Sequence, residues 1–596
     1  MIKTLRGCLD LLGLAWREDR VRLLTAMALM IGQAVALPLA APLLATVTDA
    51  ALAGDAGTAT VAAAGLAVLV IASLTFGHFA HIAYFELGEL YTLTLERELI
   101  SLSNDSPGLE HHERPDSADR FHVLRQEVPR MGWSSMTALM SAISLTVAVA
   151  ITAVLLGLLN PWLLLLPLAA IPPVLLGRRA ESALNRTRMT MAQPRRRALH
   201  LFKLAVDPAA GMELRVCGVQ GELRARHAEL WGTLTRQQWR AEVRAAALRA
   251  VGLLIFGAAY GAATLLITYD AVAGRRSVGD VVLAVALTAQ VNQQIVAAVS
   301  LLQQLQRAAS TMENLRWARS VTGPPPAPAG PVEIPDRIRQ GIRLRGVSFR
   351  YPDTEATVLD GVDLVIPAGC TVAVLGDNGA GKSTLVKLLC RFYEPTEGTI
   401  ELDGVDLRQY PVTEWRRRIA AGFQDFARLE FLARETVGVG DLARIDSAPD
   451  VLAALARAQG TDLVHRLDNG LETPLGLSHP AGGTQLSGGQ WQKLALGRAM
   501  MRAAPLLLVL DEPTASLDAR SEHLLFEQYT RNARQVAERT GGITLLVSHR
   551  FSTTRDADLI LVVAGGRVAE AGDHQQLMAA GGLYAQLYEQ QAAAYR

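Results

Sequence analysis

Residues 1 to about 320 contain apolar stretches long enough to cross a bilayer, and nothing else in the sequence limits the fold as strongly. A hydrocarbon core of ~30 Å demands about 20 apolar residues of a helix. Six stretches approach or meet this: Leu23–Thr46, Thr60–Phe85, Met136–Leu159, Trp162–Leu176, Leu248–Ile267 and Val281–Leu302. Pro167, Pro172 and Pro173 interrupt the fourth, which neighbouring helices can tolerate by re-satisfying the freed backbone groups. Helices buried in a soluble core are usually shorter, and several of these stretches lack any charge, so a soluble protein is excluded. With Asp10, Arg17, Glu18, Asp19 and Arg20 breaking the apolar character, residues 1–20 read as an amphipathic surface helix rather than a cleavable signal.

Loop charges set the orientation. Lys3, Arg6, Arg17, Arg20 and Arg22 mark the N-terminus, and Gly177–Ala247 holds fourteen Lys and Arg. With Glu86–Ser135, that segment is expected on the cytoplasmic side, and the short turns at Asp49–Ala59 and Asn160–Pro161 outside. Arg275 and Arg276 run against this rule, but Asp270 and Asp280 flank them. Helices continuing 50 and 70 residues out and back reach tens of ångströms into the cytoplasm at ~1.5 Å per residue. Their reversals fall at Ser106–Pro115 and Asp207–Gly211, where Pro and Gly break the helices and short tips could touch a soluble domain.

After the Pro-rich stretch Thr322–Asp336, short apolar strands alternate with helices. The expected organisation is a membrane α-helical domain over 1–320, a linker over 321–340 and an α/β P-loop nucleotide-binding domain over 341–596. Cys370–Leu375 reads as a buried strand and runs into Gly376, Asp377, Asn378, Gly379, Ala380, Gly381, Lys382, Ser383 and Thr384. This is GxxxxGK[ST] in strand–loop–helix context: backbone amides cradle phosphate, Lys382 reaches the β/γ oxygens and the Ser383 hydroxyl ligates Mg2+. A second apolar strand, Leu506–Leu510, ends at Asp511 and Glu512. There the first carboxylate can hold Mg2+ and the second can orient or deprotonate water.

Leu486-Ser487-Gly488-Gly489-Gln490, upstream of that strand, resembles the signature of ATP-binding cassette (ABC) proteins. Six spans followed by one cassette resemble an ABC exporter half-transporter of the type IV fold along essentially the whole chain. The resemblance implies that Tyr351 stacks on adenine, Gln424 lies between the domains as a further Mg2+ and water ligand, and His549 contacts the γ-phosphate. Ser516-Leu517-Asp518 falls where the loop after the second acidic strand belongs. It also implies ATP and Mg2+ as cofactors, and a partner whose Ser487–Gln490 completes the site. With Lys382, Gln424, Glu512 and His549 all intact, a homodimer is expected. The family's TxxGExG segment departs here: Thr473–Gly483 has Leu477 in place of Glu and is longer.

Cargo is less legible. Trp491-Gln492-Lys493 after the signature, and Met212–Val216, look similar to bacterial lantibiotic and peptide exporters. The expected function is therefore ATP-driven export of a peptide or amphipathic natural product across a bacterial inner membrane, with N-terminus and cassette cytoplasmic. A lipid flippase or multidrug exporter is the alternative, and a siderophore-type importer a third. A protease domain before the first span is not seen, so any leader would be removed by another protein. Basic residues within the spans would favour an anionic lipid, and apart from Arg249 at the edge of the fifth none occurs. Gln290, Gln293, Gln294 and Gln304 either line a wet cavity or bond between helices. His78 and His81, one turn apart, form a packed pair or a metal pair, and His111-His112 reads as polar surface. A net charge of +1 provides no basic field for nucleic acid, and Cys8, Cys217, Cys370 and Cys390 make no CxxC pair.

Overall fold

The computed structural model describes residues 13, 16–17, 19–207, 210–323, 330–477, 479, 482–512, 519–548 and 555–594. Two compact units emerge: Met1–Leu102 with Arg120–Ser320, and Ser103–Asp119 with Val321–Arg596. Much of the surface helix expected over residues 1–20 lies outside the described residues, as do residues 324–329 of the linker.

The helical elements that matter are α1 (Arg20–Leu52), α2 (Ala56–Asn104), α3 (Glu110–Glu113), α4 (Pro115–Leu159), α5 (Ile171–Thr190), α6 (Ala192–Val206), α7 (Gly211–Val216), α8 (Gln220–Val272) and α9 (Val278–Val321). Among the described residues, five helices are long and apolar enough to cross a membrane: α1, α2, α8, α9 and Arg120–Leu159 of α4. Asp19 starts α1 by accepting from the amides of Val21 at 2.9 Å and Arg22 at 3.0 Å. The 53-residue α8 is about 80 Å long at 1.5 Å per residue, far more than a bilayer core needs. The fourth apolar stretch is not one continuous helix. It is divided into a 3-10 turn Pro161–Leu165, one turn Leu166–Ala169 and α5. Each proline there lacks the N–H that would continue the helical ladder.

In the loop before α9, Arg275 pairs with Asp270 at 2.7 Å and Arg276 with Asp280 at 3.8 Å. These two arginines therefore add almost no net charge to that loop. His81 accepts from or donates to Tyr84 Oη at 2.8 Å and packs edge-on against Trp133. His81 is thus packed among aromatic side chains.

The second unit has two sheets. An antiparallel sheet runs β2 (Thr357–Pro367), β1 (Gly341–Arg350), β4 (Glu397–Leu402), β5 (Val405–Asp406). A larger one runs β10 (Arg567–Gly572), β9 (Leu559–Ala564), β3 (Thr371–Leu375), β8 (Ile543–Val547), β7 (Leu507–Asp511), β6 (Ile419–Gly422). All its pairs are parallel except β10 with β9. Strands β3, β7 and β8 are buried along their whole length, as parallel strands covered on both faces require. Trp415 anchors the core between the sheets, fully buried, with its indole N–H donating to Leu389 O at 2.9 Å.

The first reversal forms α3 within this unit. His111 is buried, which corrects its reading as polar surface. Both His111 and His112 place Nε2 3.0 Å from Ser103 O. A carbonyl only accepts, so both rings carry their proton on Nε2. This arrangement clamps α3 against the end of α2's polypeptide. In the second reversal, α7 is described, while Pro208 and Ala209 lie outside the described residues.

Candidate nucleotide-binding site

Open parallel sheets place their sites at the carboxyl ends of strands, where the order switches direction. Here β3 lies between β8 and β9, and the loop Gly376–Gly381 leaves its carboxyl end. It leads into α10 (Lys382–Leu389). Gly376 has φ +147°, and a Cβ there would lie 2.2 Å from Val563 O. No other residue allows the loop to turn so close to β9. Val547 of β8 is level with both Val374 and Asp511, so β7 delivers its acidic end one strand beyond the loop.

A cavity of about 850 Å³ sits at these strand ends. Tyr351, Gly376, Asp377, Asn378, Gly379, Gly381, Lys382, Ser383, Thr384, Gln424 and Glu512 all line it. These residues come from four separate segments: Tyr351, the Gly376–Thr384 loop, Gln424 and Glu512. Val358 and Leu587 line it too and were missed, because an apolar residue on a strand or terminal helix carries no chemical signal. Lys382 is buried, and its ammonium donates to Gly376 O at 2.7 Å and Asp377 O at 2.9 Å. It is held at the loop's centre. The Tyr351 hydroxyl is 3.1 Å from Thr384 Oγ1, and its ring stands edge-on to Phe349 and Tyr393.

Asp511 is buried at the end of β7. Burial, then the neighbouring Glu512 charge, push its carboxyl up to about 6 despite the opposing pull of Lys382. A divalent cation beside it would add positive charge that favours the ionised carboxylate. The donor set of Asp511 with the Ser383 hydroxyl and Gln424 amide oxygen is all oxygen, which suits Mg2+. Glu512 adopts φ +49°, a left-handed backbone that an ordinary residue enters at a cost of ~1–3 kcal/mol. Its amide donates to Val547 O at 3.0 Å, which holds that conformation.

Ser487–Gln490 do not line this cavity. They open α11 (Gly488–Ala499), where Ser487 caps the helix by accepting from the Gln490 amide. Gln490 Oε1 accepts in return from the Ser487 amide at 2.7 Å. Nothing approaches within 4 Å of a Cβ built on Gly488 or Gly489, so this helix start is open to an incoming group. His549 and Ser516-Leu517-Asp518 lie outside the described residues, as do positions 478, 480 and 481 of the altered Thr473–Gly483 segment.

Residues 359–515 match the family model of the ABC transporter. The chain is 36% identical over 350 residues to an ATP-dependent lipid A-core flippase of Xylella fastidiosa, covering 58% of this chain and 56% of that protein. It is 39% identical over 254 residues to the multidrug resistance protein homolog 65 of Drosophila melanogaster, covering 42% of this chain and 19% of that one. The chain spans about half the length of the flippases it matches. Among solved structures, a bacterial Atm1-family ABC exporter with ATP bound aligns with a TM-score of 0.80 at 25% identity, covering 96% of this chain and 98% of that one. The chain therefore carries the nucleotide-binding domain of the ABC transporters behind a set of apolar helices, in the half-transporter fold of an ABC exporter.

Proposed function

We propose that this chain is one half of an ATP-driven exporter that moves an amphipathic, lipid-like or drug-like compound out of the cytoplasm of a bacterium. The carrying observation is the convergence of Lys382, Ser383, Gln424 and Glu512 on one cavity, in a chain whose other half consists of bilayer-length apolar helices. The names of the relatives favour a lipid-like or drug-like cargo over the peptide suggested by the short Trp491–Lys493 and Met212–Val216 likenesses. The inner membrane is the site of action, with N-terminus and cassette in the cytoplasm, in keeping with the arginine-rich long segments.

In this reading the loop amides and Lys382 bind the β- and γ-phosphates, and Tyr351 flanks the base. Ser383, Gln424 and Asp511 would hold Mg2+, which neutralises phosphate charge. Glu512 polarises the attacking water, assisted by His549. A second copy supplies Ser487–Gln490, whose open helix start suits a developing negative charge. Closure of two such sites by ATP, and their reopening after hydrolysis, drives alternating access. The test is Glu512→Gln protein in nanodiscs, spin-labelled at the cytoplasmic helix ends. MgATP should shorten the distances between copies and raise those on the outer side. Distances unmoved in protein that binds ATP would refute alternating access.

A further inference from the structure

A second cavity lies inside the helical unit. It encloses about 290 Å³ between α1, α2, α4 and α9, at the lower end of what ligand sites hold. Gln33, Gln290, Gln293 and Gln294 give it four carboxamides, and Ser73, Ser141 and Ser144 three hydroxyls. Not one of its lining residues carries a charge. An anion entering it would lose its water and meet no cation, which is the costly way to bury charge.

The amides are not used up between helices. Gln290 Nε2 donates to Leu37 O at 3.0 Å, yet its Oε1 is buried with no partner. A buried acceptor left unpaired is unfavourable, and a donor on a ligand relieves it. Gln33 owes its place to Gly77, where a Cβ would fall 2.4 Å from Gln33 Nε2. Gln294 donates to Thr152 Oγ1 at 3.0 Å and, with Leu145, also lines a smaller apolar pocket of about 150 Å³. A polar chamber and an apolar annex therefore share a wall.

We propose that this pair of pockets is a cargo site selecting a neutral amphiphile, with an uncharged amide or hydroxyl group in the chamber and an adjoining short apolar group in the annex. The inference rests on the exporter reading above and narrows its cargo: the group gripped here is uncharged and donates a hydrogen bond to Gln290 Oε1.

The experiment uses the full chain in nanodiscs without nucleotide, so it reads binding separately from ATP hydrolysis. The probe is a dansylated Leu-Gln-Leu peptide amide, compared with the same peptide ending in phosphoserine. The neutral probe should bind, and the phosphorylated one about tenfold or more weaker, the scale of one lost hydrogen bond with an unpaired charge added. Gln290→Leu should weaken the neutral probe about tenfold. Gly77→Ala, which keeps every amide but displaces Gln33, should weaken it by a smaller factor and serves if the first variant misfolds. Equal or tighter binding of the phosphorylated probe, absence of neutral binding, or indifference of that binding to these variants overturns the proposal. Failure of the exporter reading would appear instead as absence of ATP hydrolysis in a protein that still binds the probe.

Discussion

Glu113 of α3 places Oε1 2.6 Å from the ammonium of Lys387, on the helix that follows the phosphate loop. The same carboxylate accepts from the Tyr393 hydroxyl. Lys387 in turn stands 5.2 Å from the centre of the Tyr351 ring and 5.8 Å from that of Tyr393. Burial alone would lower the Lys387 pKa, but the bond to Glu113 and the neighbouring Tyr351 raise it overall, so the ammonium stays charged. One carboxylate on a short helix thus reaches, through one lysine, the aromatic wall of the nucleotide cavity.

Glu113→Gln should loosen that chain of contacts. The pair is partly exposed, so the loss amounts to about 1 kcal/mol rather than the value of a buried ion pair. Hydrogen exchange over Leu109–Arg114 should speed up, and ATP should bind several-fold more weakly while GTP binding changes by the same factor or less. Unchanged exchange in α3 would show that Glu113 does not hold it.

Gly376→Ala tests the turn out of β3. A methyl group at φ +147° would meet Val563 O, a backbone atom that cannot swing away. The variant should lose ATP binding and unfold at lower temperature, by on the order of 1–3 kcal/mol for the forced backbone. Calorimetry and nucleotide titration on the same sample read both effects.

Lys382→Ala and Glu512→Gln should separate binding from chemistry. Removing the buried ammonium raises the Kd for ATP, because the β/γ-phosphates lose their fixed counter-charge. Replacing Glu512 should leave that Kd nearly intact and lower turnover by about 10²–10⁴-fold, the range for a general base. Equal turnover of Glu512→Gln and the unaltered chain would remove Glu512 from the role of base.

Acid should release α3. Burial lowers the His111 pKa most, with the Ser103 carbonyl opposing and His112 adding to the drop, while Glu110 raises it. A histidine depressed in the folded state contributes fully above its unfolded pKa, ~6.5, and loses that contribution as pH falls through the folded value. Amide protection around Glu110–Glu113 should therefore decline between pH 7.5 and 5.5, and His111→Gln should flatten the profile. A profile equally steep in His111→Gln would assign the titration elsewhere.

Local sequence explains much of this architecture. The phosphate loop is legible because its glycines, Lys382 and Ser383 act through backbone turns and side chains within nine consecutive residues. The apolar helices are legible because a bilayer demands length and composition alone. The break at Pro161–Ile171 is written in prolines, although its division into three pieces is set by packing. His111 and His112 looked alike as neighbours in sequence, and only packing put one inside.

The sequence by itself determined the strand–loop–helix of the phosphate loop and the bilayer-length helices, because each depends on contacts within one turn or one element. The tertiary structure alone decided that Glu113, 274 residues before Lys387, grips it. It also decided that Gln33, Gln290 and Gln294 share one uncharged chamber, and that burial beside Glu512 raises Asp511. Those relations depend on distance and solvent exclusion between remote segments, which no local pattern of residues encodes.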